Sequence, residues 1–239
     1  MRHDFERDTI QRMGTSSTTY DQGLRAYMLG IYNYMALGLA LTGIVAYWVS
    51  SSPALMNAIF GSGLRYIVML APLGFVMFLG FKIQSLSVST AQMIFWAFAT
   101  AMGLSLSSIF LVYTGTSIAK TFFISASTFA SMSLYGYTTQ RDLSGMGSFL
   151  FMGLIGLVLA SVVNLFLQSS ALEFAVSVIG VLVFVGLTAY DTQTIKGMYY
   201  GSDDQETMAK KSIMGALQLY LDFINLFMYL LRFLGDRRN

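Results

Sequence analysis

Seven stretches of this chain are long and apolar enough to cross a bilayer, and that pattern limits the fold more than any other feature. A hydrocarbon core needs about 20 consecutive, mostly apolar residues per helix. The runs fall at 24–49, 64–81, 90–113, 117–138, 147–168, 173–193 and 212–234, separated by polar breaks such as SSSP, KIQSLS, TGTS, TQRDLSG, QSS and GSDDQETMAKK. They do not alternate polar with apolar, and they are too long for barrel strands. Charged residues make up 11% of the 239, against 55% hydrophobic, whereas a soluble domain carries about 25% charged residues. Lipid must be the solvent for most of this surface. The expectation is an all-α integral membrane protein of seven transmembrane helices: a polar cytoplasmic tail at 1–23, one domain at 24–235 and a short tail at 236–239. The tail has no apolar core of the kind a cleaved secretory signal requires, so the first span directs insertion.

Several classes of chemistry are excluded or disfavoured. Without cysteine there is no disulfide framework, thiol nucleophile or Cys-ligated zinc, and the one histidine, His3, lies in the tail. No glycine-rich phosphate loop is present, and a net charge of +2 does not suggest nucleic acid. No enzyme activity and no cofactor are expected. With the N-terminus inside, nine of the 14 Lys and Arg fall on the cytoplasmic side and five on the other. That bias predicts a cytoplasmic N-terminus and an external C-terminus.

The last span, LQLYLDFINLFMYLLRFLG, carries a carboxylate near its middle. Gly215, Gln218, Asp222, Asn225, Tyr229 and Arg232 recur at three- and four-residue spacings, which puts them on one helical face. A continuous polar stripe should face the protein interior or a water-filled cavity, so the seventh helix is predicted to be central and surrounded by the other six. The sixth span offers a thinner stripe ending in Thr188 and Asp191. If the sixth and seventh helices run antiparallel, Asp191 and Asp222 can meet in the inner half of the membrane. An ionised Asp at mid-membrane costs about 2.5–3.5 kcal/mol on insertion scales, and two in one dry site resist double ionisation. Protonated or singly ionised, they hold the two helices together; doubly ionised, they repel and admit water or a hard cation such as Ca²⁺, which favours carboxylate oxygen. Plainer readings remain open: a structural hydrogen bond for Asp222, a solvated helix-end acid for Asp191, packing contacts for Gln218 and Asn225. Lys82, at the inner end of the second span, is a candidate partner for the aspartates. Gly153, Gly156, Ala160 and Asn164 in the fifth span form a face for close helix packing.

Paired intramembrane aspartates also suggest an aspartyl protease. That reading is remote: Asp222 follows Leu219, Tyr220 and Leu221 rather than the Gly-x-Gly such enzymes place before their aspartate. The stretches LSSIFLVYT (106–114), MSLYGYTTQRDLSG (132–145), VGLTAYDTQTIK (185–196) and LYLDFINLFMYLLRFLG (219–235) instead resemble the Bax inhibitor-1 (transmembrane Bax inhibitor motif) family, particularly its bacterial members. The resemblance covers nearly everything after residue 24. It implies a central seventh helix wrapped by six others and a pH-sensitive Ca²⁺ leak controlled by a di-aspartyl pair, which maps onto Asp191 and Asp222. Some relatives carry an arginine at the inner end of the second helix; here the nearest residue is Lys82, whose ammonium offers no bidentate fork. The resemblance further implies a bacterial inner membrane and, as an alternative function, a non-conducting regulator that binds partners such as a membrane protease.

Overall fold

The computed structural model describes residues 2–238, with side chains described from Asp21 onward. Among the described residues nine α-helices follow one another: α1 (Arg2–Ser50), α2 (Pro53–Phe60), α3 (Leu64–Lys82), α4 (Val88–Leu106), α5 (Ile109–Val112), α6 (Gly115–Thr138), α7 (Ser144–Leu167), α8 (Ser170–Gly197) and α9 (Gln205–Leu234). The polar breaks in the sequence act as caps. Ser52, Ser87, Thr114, Ser169 and Asp204 each precede a helix and accept a hydrogen bond from a backbone N–H of its first turn, supplying partners the helix itself cannot. Between α7 and α8 the chain turns at Gln168, which adopts a left-handed conformation with φ 50°.

Six helices among the described residues are long and apolar enough to span a bilayer: Asp21–Ser50, Leu64–Ser85, Val88–Val112, Ser144–Leu167, Ser170–Gly197 and Gln205–Leu234. The chain is thus an all-α integral membrane protein. The remaining long helix, α6, has 24 residues, about 36 Å at 1.5 Å per residue, but Lys120 and its many Ser and Thr residues lower its apolar character. Those hydroxyls largely satisfy themselves. Ser125, Ser127, Thr128 and Ser131 each donate to the carbonyl one turn earlier, a bond that conceals polarity along a helix.

Some element boundaries differ from the sequence expectation. The run read as one span at 90–113 is divided into α4 and α5 at Ser107 and Ser108. The last helix starts at Gln205 rather than 212, because Asp204 caps it and the polar ETMAKK turn continues the same helix. The small-residue face of α7 packs only in part. Gly153 approaches Val183, whereas a Cβ at Gly156 would meet nothing within 4 Å. The tightest approach to another helix's backbone among the described residues lies elsewhere: a Cβ on Gly136 of α6 would come within 2.2 Å of the Ala189 carbonyl of α8.

The core gathers on α9. Its most apolar 18 residues are 67% buried, against 11–39% in the other five candidate spans. It packs on α8, α1, α6 and α4, and more lightly on α3. The side turned away from the polar stripe is fully occluded. Tyr220 lies edge-on to Phe95 and Phe98 of α4, and its hydroxyl is 2.6 Å from Thr42 of α1. Since Thr42 donates to the Ala99 carbonyl at 2.8 Å, Tyr220 is the donor to Thr42. One buried chain of hydrogen bonds therefore joins α9, α1 and α4.

Candidate functional site

Two contacts fix the register of α8 against α9. Gly180 has no side chain, and the Tyr229 ring lies on its backbone; a Cβ there would sit 2.4 Å from the ring. Nearer the loop joining the two helices, Gly215 packs against Ile195. In that antiparallel register, Asp191 is level with Gln218 and Asp222. All three side chains line the same cavity. Asp191 and Asp222 are 6% and 5% exposed, so both charges are out of bulk solvent.

These groups open onto a cavity of about 800 Å³ between α7, α8 and α9. The stripe on α9 supplies one wall: Gln218, Asp222, Asn225 and Tyr229. Asp191 and Tyr190 come from α8, while Gly147, Ser148 and Phe151 on α7 close the far side. Asn225 donates its amide N–H to the Leu221 carbonyl at 2.8 Å, which leaves its side-chain oxygen as the acceptor it can offer. At the end remote from the loop, Tyr229 stacks on Phe184 with centroids 5.7 Å apart. The Arg232 guanidinium is 5.7 Å from the same ring centre.

Two sequence-predicted residues are not brought into this cavity. Thr188 is buried on another face of α8 and donates to the Phe184 carbonyl. Beside it, Thr192, Ser133 and Tyr32 form a hydrogen-bonded chain linking α8, α6 and α1. Lys82 ends α3 exposed and does not line the cavity. The buried lysine at this end of the bundle is Lys210, which donates to the Gln84 carbonyl and pairs with Glu206. No group of three or more His, Cys, Asp or Glu among the described residues is placed to hold a metal ion.

Residues 24–239 match the family described as inhibitor of apoptosis-promoting Bax1. The chain belongs to the Bax inhibitor-1 family. Among its relatives, the Rickettsia prowazekii protein RP147 is 55% identical over 225 residues, covering 94% of this chain and 95% of that one. The Escherichia coli inner membrane protein YbhL is 52% identical over 219 residues, covering 90% and 94%. A Caulobacter vibrioides protein is 47% identical over 228 residues, covering 91% of each.

In this Bax inhibitor-1 family member, sequence reasoning missed the third wall. α7 contributes Gly147, and a Cβ there would come within 2.4 Å of the Tyr190 ring. A ring lying on a bare backbone has no periodicity in the sequence. The one available signal was a glycine at the start of a span, beside a loop whose many turn residues masked it.

Proposed function

We propose that this protein is a pH-sensitive calcium leak pathway of the bacterial inner membrane, built from seven spanning helices with α9 as the axis and Asp191 and Asp222 as the switch. In this reading α6 is the seventh span, its self-bonded hydroxyls and flanking packing offsetting its modest hydrophobicity. The observation that carries the proposal is the meeting of two buried carboxyls in a cavity lined by the polar face of the most buried helix. Two carboxyls hydrogen-bond each other only when one carries a proton. With both ionised, Asp222 Oδ2 has no partner although it is buried. A proton closes the pair; its loss leaves two like charges that draw in water or a cation. Ca²⁺ takes six to eight oxygen ligands, and two carboxylates each binding through one oxygen, with the side-chain oxygens of Gln218 and Asn225, supply about four. That deficit suits an ion in passage, with water completing its shell. YbhL, the inner membrane relative, supports the choice of membrane.

The test is calcium entry into vesicles containing the purified protein, compared with protein-free vesicles across pH 5.5–8.5. Flux above the protein-free level at any pH in that range supports conduction. Its absence throughout leaves the alternative, a non-conducting regulator that binds membrane partners such as a protease.

A further inference from the structure

A second cavity has no part in the aspartate chemistry. It is a groove of about 670 Å³ among α1, α5, α6 and α9, lined by apolar side chains including Leu39, Ile44, Ile118, Phe122 and Phe227. Thr42 contributes almost no polarity, because its hydroxyl is tied to Ala99 and Tyr220. The groove is kept open by missing side chains. A Cβ at Gly43 or Gly115 would meet nothing within 4 Å. Its rim faces outward, with Ile44 67% and Phe123 70% exposed, where lipid is the solvent.

The dimensions point to an acyl chain. On α1 the lining runs from Leu39 to Tyr47, about 12 Å at 1.5 Å per residue. On α9 it runs from Phe223 to Phe227, about 6 Å. Both lengths are shorter than half of a hydrocarbon core of about 30 Å, so the groove fits within one leaflet. At its membrane-surface end stands a cation. Arg238 donates from its guanidinium to the carbonyl of Phe110, a groove residue, at 3.0 Å. The terminal strap that carries it is firmly held: Thr114 donates to the Asp236 carbonyl, Asp236 N–H to Ser117 Oγ, and Arg238 N–H to the Val112 carbonyl, while Arg237 pairs with Glu173 at 2.8 Å. A chain end expected from the sequence to be a plain tail is thus fastened so that its arginine stands at the mouth of an apolar groove.

We propose that this groove binds one anionic phospholipid, with an acyl chain in the groove and the phosphate on Arg238. The experiment uses the full chain, purified in detergent and delipidated, titrated with phosphatidylglycerol or phosphatidylcholine of identical chains; bound lipid is counted by native mass spectrometry. Wild type should bind phosphatidylglycerol about tenfold more tightly, because both lipids offer a phosphate to Arg238 but the choline cation beside it repels the guanidinium and offsets the attraction. Arg238→Gln should abolish that preference while still binding both lipids. Gly43→Leu, which fills the groove, should lose both, with thermal unfolding of the lipid-free variant verifying that it folds. Asp222→Asn should bind as wild type, because the groove is separate from the carboxyl cavity. Equal affinity for the two lipids in wild type would overturn the proposal, as would a preference surviving in Arg238→Gln or lipid retained by Gly43→Leu. A delipidated protein that dimerises through this groove would overturn it too, making the occupant a second copy.

Discussion

At the scale of single residues, the polar groups are held by specific partners, and their removal has directional consequences. Tyr220 is fully buried and donates to Thr42. Thr42→Val strands that hydroxyl at a cost of about 1–3 kcal/mol, seen as a lower apparent melting temperature in detergent. Adding Tyr220→Phe should recover part of the loss, and a double mutant less stable than Thr42→Val alone would contradict the assignment. Asp204, outside the membrane, accepts from the Thr207 N–H at 2.9 Å, and hydrogen bonds from Thr207 hold its carboxyl below the usual carboxylate value. A lowered value means the cap contributes fully above the unfolded carboxyl's value of 3.8 and fades as pH falls through the still lower folded one. Hydrogen exchange at the Thr207 amide, corrected for intrinsic rate, should therefore be flat from pH 7 to about pH 4 and accelerate below it. Acceleration near pH 6 would mean that another group controls this end of α9. The sequence displayed the polar stripe plainly, since spacing alone puts Gln218, Asp222, Asn225 and Tyr229 on one face. It also pointed to Thr188 and Lys82, which lie outside the cavity, because residue type and position along a helix do not specify which neighbour covers that face.

At the scale of elements, close backbone approach separates helices that are fixed from those with room. Gly136 on α6 faces the Ala189 carbonyl of α8, and backbone cannot move aside as a side chain can. Gly136→Ala should destabilise by about 1–3 kcal/mol, whereas Gly156→Ala on α7, facing open space, should leave the melting temperature unchanged or slightly raised by better helix propensity. The reverse order would mean that the α6–α8 contact is looser than described. A stripe of small residues made the α7 face look like the packing face, yet the partner that makes a glycine necessary sits on another helix. Helix existence was more legible, because length and composition suffice. A capping residue extended α9 back to Asp204, while the third run divides at Ser107 and Ser108, whose hydroxyls donate back to the Leu104 and Ser105 carbonyls.

At the scale of the whole molecule, α9 has two unlike sides. One is apolar and packed on α1, α4 and α6; the other is polar and lines the cavity shared with α7 and α8. That division is why a helix with mid-span Asp and Asn can be the most buried of the six candidate spans among the described residues. The sequence stripe foretold an inward-facing helix. It did not disclose that the cavity lies to one side, between α7, α8 and α9, because the wall on α7 is made mostly by apolar residues. The most direct test of the aspartate switch is the pH response of calcium flux in vesicles bearing wild type, Asp191→Asn or Asp222→Asn. The account predicts flux that rises with pH in wild type and a response flattened in each variant, since neither retains two ionisable carboxyls. An unchanged pH response in both variants would contradict it.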